Sequence, residues 1–376
     1  MKSINFKKLV CLLLSLFILL FSVGCKGEDL GEEAADYELE LEGNYDFEAL
    51  KGTTINVFNW GEYIPDGTEG SMDINKKFTE LTGIKVNYTT YENNEAMYAK
   101  LKSGGVSYDI IIPSDYMIQR LAKEDMLEKI DTSVLSNYKY IDSKYKDLYF
   151  DPTNEYSVPY CVGMVGLIYN SAMIDEKPDS WNTMWDPKYN DDILTFNNPR
   201  DAFAIAQLLL GQDLNSTDKK TWDKAANKLI EQKKILQSYV MDEIFQKMED
   251  GDAAIAPYYA GDFLLMQENN PDLEFVYPKE GTNIFVDSIC IPKGARNYDA
   301  AMLYINFLLE PDVALEIAEY IYYASPNTSV LNNEDYSLKD NEYLYPEVYP
   351  KVQYFHDIDA DIRTYYEYLW ESVKLA

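Results

Sequence analysis

The chain has 376 residues, 47% hydrophobic and 26% charged, which is ordinary globular composition and enough for two domains. Its formal net charge of −31 excludes the basic surface that nucleic acid requires and suits a cationic partner better. The composition departs from the ordinary in its 33 tyrosines, aromatic rings that each carry a polar end.

The chain opens with Lys2, Lys7 and Lys8, then the apolar run LVCLLLSLFILLFSV, then Gly24-Cys25. A short basic segment, an apolar core and a small residue make a secretory signal over residues 1–25. The segment resembles a bacterial lipoprotein signal with Cys25 as the lipidated residue, although Ser22 stands where Leu is usual. Residues 26–51 are acidic with few apolar side chains and read as a tether. Beyond the export segment only Cys161 and Cys290 remain, without metal-ligand spacing; two buried thiols are expected, with a disulfide left open.

From residue 52 the pattern alternates. TTINVFNW reads as a strand, SMDINKKFTELTG as a helix, IKVNYTTY as a strand, NEAMYAKLKSGG as a helix, YDIIIPSDY as a buried strand and YMIQRLAKEDML as a helix. That order implies α/β architecture with a parallel sheet, whose ligands sit beyond the carboxyl ends of the strands. A second unit follows, with strands in YSVPYCVGMVGLIYN, DDILTFNN, DAAIAPYYAGDF, LEFVYPKEG and NIFVDSICIP. Helices are expected in PRDAFAIAQLLLG and KTWDKAANKLIEQKKIL, in a run broken at Pro311, and in RTYYEYLWESVKL.

With one histidine, His356, the chain has no His-rich zinc site and no obvious Ser-His-Asp triad. HDIDADI has calcium-loop spacing, but Ile362 and Tyr368 occupy the positions that need Gly and Glu, so a solvated loop or helix start is the reading. What the strand ends do supply is aromatics and acids: Trp60, Glu62 and Tyr63; Ser114 and Tyr116; Asp201; Tyr258, Tyr259 and Asp262; Phe285 and Asp287; Tyr322 and Tyr323. Aromatic faces attract cations and cover methylene chains, and carboxylates accept charge-assisted bonds from ammonium groups. Taken alone, each Tyr is more often a core or surface residue and each Asp more often a cap or turn residue than a ligand contact.

The stretches NVFNWGEYIPDG, FTELTGIKVNYTTYENNEAMYAKLKSGGVSYDIIIPSDYMIQRLAKEDMLEKID, YSVPY, PKEGTNIFVDSICIP and INFLLEPDVALEIAEYIYYASPN resemble the spermidine/putrescine-binding proteins of bacterial polyamine ABC importers, from about residue 52 to the C-terminus. The resemblance implies a two-lobed periplasmic-binding fold, each lobe a mostly parallel sheet flanked by helices, with ligand in the cleft at the hinge. It implies lobe 1 from 52–158 and 287–331, lobe 2 from 159–286 and 332–376, and hinge crossings near Pro159 and Val286. It assigns the polyamine to Trp60, Glu62, Tyr63, Ser114, Tyr116, Asp201, Tyr259, Asp262, Phe285, Asp287 and Tyr323. Asp262 matches an acid of putrescine-preferring relatives. Asn198 stands at an often acidic position, and the C-terminal Gln contact has no match near Phe355-His356. The implied protein is a lipid-anchored monomer that delivers ligand to a permease, with no cofactor, no metal and no bond made or broken. A receptor for another cation or metabolite, a carboxylate-dependent enzyme and an adhesion or signalling lipoprotein are the rivals.

Overall fold

A computed structural model describes residues 47–376. The signal segment, Cys25 and most of the acidic tether lie outside the described residues. Among those described, no helix is long and apolar enough to cross a membrane.

Two sheets organise the described residues. The smaller has the order β2-β1-β3, with β1 (Thr54–Trp60) central between β2 (Lys85–Tyr91) and β3 (Ile110–Ile111), all parallel. Ile55, Val57 and Phe58 are buried because β1 is covered on both faces. The crossover helix Ile74–Thr82 begins where Asp73 accepts the Lys76 amide at 2.9 Å and ends at Gly83, whose φ of 72° is the left-handed stop. The helices Asn94–Ser103 and Asp115–Lys123 follow β2 and β3.

The larger sheet has seven strands. Its spine is β4 (Val158–Asn170), buried at all 13 positions. β5 (Ile193–Phe196), β6 (Leu236–Val240) and β7 (Ile255–Tyr259) lie to one side in the order β7-β5-β6, and β8 (Leu273–Val276) also pairs with β4. β9 (Thr282–Ile289) and the short β10 (Val352–Gln353) lie to the other. This sheet is mixed: β5 runs parallel to β6 and β7, and β9 to β10, while β4 is antiparallel to β7, β8 and β9.

The two sheets meet through β9. Asp287 bridges Ser114, and Cys290, just past the strand, bridges Ile111. Asp287 therefore sits where the larger sheet joins the carboxyl end of β3. One core gathers Ile55, Phe78, Leu303 and Phe307, and a larger one includes Leu194, Phe203, Trp222, Ile255 and Phe275.

Some elements differ from the pattern expected of the sequence. The helix expected through Leu236 is Lys219–Lys233, and Leu236 begins β6. No glycine or proline marks that change, and pairing with β5 decides it. HDIDADI leads into the helix Ala360–Leu375, and the Asp357 carboxylate meets Arg363 and, at 3.4 Å, Lys123. Cys161 and Cys290 are both free and buried.

Candidate functional site

The eleven residues singled out by the sequence line one cleft of about 790 Å³. Local geometry explains their convergence. Trp60 is the last residue of β1, and Glu62 and Tyr63 lie in the turn after it. Ser114 is the residue just before the helix Asp115–Lys123, without a side-chain capping bond, and Tyr116 lies in the first turn. Asp201 and Asp262 occupy the first turns of the helices Pro199–Leu209 and Ala260–Asn269. Tyr259 ends β7. Phe285 and Asp287 are two apart on β9, so the strand's period of two aims both at the cleft, together with Asn283. Tyr323 follows Tyr322, whose left-handed φ of 58° ends the helix Pro311–Ile321.

The aromatic rings form a continuous wall. Trp60 lies 6.3 Å from Tyr63 by ring centroids, and its indole nitrogen donates to the Ile112 carbonyl at 2.9 Å. Tyr63 meets Tyr323 edge to face at 5.6 Å, Tyr323 lies 6.2 Å from Phe285, and Phe285 meets Tyr259 edge to face at 5.5 Å.

Three carboxylates are set into this wall, each held by a tyrosine hydroxyl. Tyr63 donates to Asp287 Oδ2 at 2.8 Å, Tyr323 to Asp262 Oδ2 at 3.1 Å and Tyr259 to Asp201 Oδ2 at 2.9 Å. Asn198 Nδ2 also donates to Asp201 Oδ2, at 2.7 Å. Asp287 is 2% exposed, and its Oδ1 has no partner among the described residues. Burial is the main force on all three acids. It pushes Asp287 up to about 6 against the pull of the Ser114 and Tyr63 hydroxyls, and Asp201 and Asp262 up to about 7. A buried anion served only by neutral donors is costly, and a cation entering the cleft removes that cost.

The remaining expected residues sit differently. Glu62 is exposed at the rim in the left-handed region, φ 49°, and accepts from the Tyr320 hydroxyl at 3.3 Å. Tyr116 donates to Glu95 at 3.0 Å, and Ser114 Oγ accepts from Asn94 at 3.1 Å.

Sequence reasoning missed several lining groups. Asp115 is fully buried, accepts the amides of Tyr116 and Val286, and is pushed by burial up to about 8. It stands inside PSDY, but a strand-end reading favours its neighbours, and only the helix start turns it inward. Tyr91 packs on Trp60 at 4.7 Å from the end of β2. Among the described residues Arg200 is the one arginine lining the cleft, whose lining also includes the acids Asp242, Glu249, Glu268, Glu316 and Glu319. The arrangement can bind ammonium groups through acids and a carbon chain through rings.

Residues 73–343 match the family model for bacterial extracellular solute-binding proteins. A spermidine/putrescine-binding periplasmic protein of Salmonella typhimurium is 35% identical over 330 residues, covering 87% of this chain and 93% of that protein. A solved structure from Listeria monocytogenes is 36% identical with a TM-score of 0.81, covering 86% of this chain and 99% of that one. The spermidine/putrescine ABC transporter substrate-binding protein of Streptococcus pneumoniae is 34% identical with a TM-score of 0.72, over 86% of this chain and 99% of that one.

Proposed function

This chain belongs to the bacterial extracellular solute-binding proteins, and we propose that it captures a linear polyamine, putrescine or spermidine, and passes it to an ABC importer. The observation that carries this reading is Asp287: a buried carboxylate at the junction of the two sheets, with Oδ2 on Tyr63 and Oδ1 without a hydrogen-bond partner among the described residues. An ammonium group completes it. The adjoining rings of Tyr63, Tyr323 and Phe285 cover the ligand's methylenes, and Asp262 takes a second ammonium. No bond is made or broken, and the protein is a carrier and not an enzyme.

The lobes comprise 52–158 with 287–331 and 159–286 with 332–376, hinged near Pro159 and Val286. The irregular register between Pro159 and Cys161, where β4 pairs β9, supports a flexible crossing there. Cleavage before Cys25 leaves a lipid-anchored monomer on the outer face of the cytoplasmic membrane, tethered by the acidic segment.

Thermal melting and calorimetry with putrescine, cadaverine, spermidine and spermine test the reading. A ligand at a hundredfold excess over Kd stabilises the native state by about 2.7 kcal/mol. At least one amine should raise the melting temperature while glucose and glutamate do not. A flat response to all four amines overturns the proposal, and consumption of the amine during titration would point to a carboxylate-dependent enzyme.

A further inference from the structure

Two successive residues of β4 grip Tyr63. Between Pro159 and Cys161 this strand carries one residue more than β9: Pro159 pairs Ser288 and Cys161 pairs Asp287, which leaves Tyr160 extra. Such a bulge re-aims side chains that would otherwise alternate between faces. Tyr160 and Cys161 accordingly both reach the same residue. The Tyr160 hydroxyl donates to the Tyr63 carbonyl at 2.5 Å, and Cys161 Sγ lies 3.0 Å from the Tyr63 hydroxyl.

A tyrosine hydroxyl has one proton to donate. That of Tyr63 is directed at Asp287 Oδ2, 2.8 Å away. The contact with Cys161 therefore needs the thiol as its donor. Burial, and then the charge of Asp287, push the thiol's pKa well above its usual value, so it keeps its proton. Cys290, also free and buried, donates to a backbone carbonyl instead, that of Ser288 at 3.7 Å. Cys161 begins a directed chain, thiol to hydroxyl to carboxylate. The chain ends on the 2% exposed side chain of Asp287, which lines the cleft and whose Oδ1 has no hydrogen-bond partner among the described residues. Donors in series strengthen one another.

We propose that Cys161 is a positioning residue for the amine: its thiol donates to the Tyr63 hydroxyl, commits that hydroxyl's proton to Asp287, and so helps to hold the carboxylate charged for an ammonium group. This rests on the polyamine reading above. No proton is transferred; only the direction of two hydrogen bonds is set. The other titratable groups that feel the Asp287 charge are Tyr63 itself, Tyr91 at the end of β2, and Asp115 and Asp201 at their helix starts.

Infrared spectra of the full mature chain, and its calorimetric titration with putrescine and spermidine, test this. The S–H stretching band that disappears in Cys161→Ser belongs to Cys161. It should lie below the position of a free thiol, and Tyr63→Phe should move it up to that position. Titrations between about pH 5 and 8 span the Asp287 pKa of about 6. On the acid side Cys161→Ala should weaken binding by about three- to tenfold, the effect of one lost hydrogen bond, and carry the acid limb to higher pH. Cys161→Ser keeps a donor and should stay close to the wild type. A band that Tyr63→Phe leaves in place, or alanine and serine variants with the same pH profile, overturns the proposal. Tyr63→Phe keeps its ring, so the band reports even where the alanine variant is impaired in folding. A folded wild type that binds neither amine overturns the polyamine reading, and with it the thiol's part in binding, whichever way the band moves.

Discussion

Tyr63 donates its hydroxyl to Asp287 Oδ2 at 2.8 Å across 224 residues of chain, and the same hydroxyl lies 3.0 Å from Cys161 Sγ. The tyrosine thus orients the carboxylate without neutralising it. A phenol at this depth stays protonated, since burial and then the charge of Asp287 push its own pKa well above the usual tyrosine range. The carboxylate keeps its negative charge for a ligand.

Asp287→Asn keeps the shape and removes the charge. Polyamine affinity should fall by about 2–5 kcal/mol, the usual cost of removing one partner of a buried charged pair. The ligand-free protein should melt no lower than wild type, because a buried anion without a cation has been removed. Unchanged affinity, or a large loss of apo stability, would assign Asp287 to the fold.

Tyr63→Phe retains the ring against Trp60 and Tyr323 and deletes the donor. Affinity should fall by about 1–3 kcal/mol, in the range of a hydrogen bond to a charged group. The acid limb of the binding pH profile should move to higher pH, since Asp287 loses a group that favours its charged form. A shift in the other direction would show that the hydroxyl serves Cys161 instead.

Asp115, Asp201, Asp262 and Asp287 all have pKa values raised by burial, to about 8, 7, 7 and 6. The folded apo protein therefore holds protons that the unfolded chain releases near 4. The stability these groups contribute is fully present below that pH and is lost as pH rises through about 6 to 8. Ligand binding runs the other way, because it needs the carboxylates charged while the amines remain protonated. The polyamine-induced rise in melting temperature should grow from pH 5 to pH 8, and binding near pH 6.5 should release protons, measurable as a buffer-dependent calorimetric enthalpy. A stabilisation that shrinks with rising pH contradicts this electrostatic account.

The acids around the cleft, among them Glu62, Asp242 and Glu316, create a field that draws in a cation. Stopped-flow fluorescence of Trp60 and the cleft tyrosines should show association slowing several-fold as ionic strength rises from about 0.01 to 0.15 M, where the Debye length shrinks from about 30 to 8 Å. Glu316→Gln should weaken that dependence with little change in the dissociation rate. Salt-independent association would mean that steering plays no part.

The alternation of strand and helix over 52–128 was legible because the period of apolar residues reports burial directly, and Asp73 and Gly83 mark where a helix starts and stops. β6 was not legible. Leu236 follows helical residues without a break, and its strand exists because β5 offers an edge. The aromatic and acidic set was visible at strand ends, but Arg200 and Asp115 were not, since nothing local distinguishes them from surface charges near a helix start.

Chain order and side-chain chemistry by themselves determined the α/β class, the export segment as an expectation, and the supply of rings and carboxylates suited to a cation. Only the tertiary structure decided which of them meet. Asp287 reaches Tyr63, Tyr259 reaches Asp201 and Tyr323 reaches Asp262 through pairings 224, 58 and 61 residues apart. The fold also set their charge state, because a carboxylate's affinity for its proton depends on the water removed from around it and on the donors placed beside it. Periodicity along the chain states that a residue is buried; it does not state what the residue is buried against.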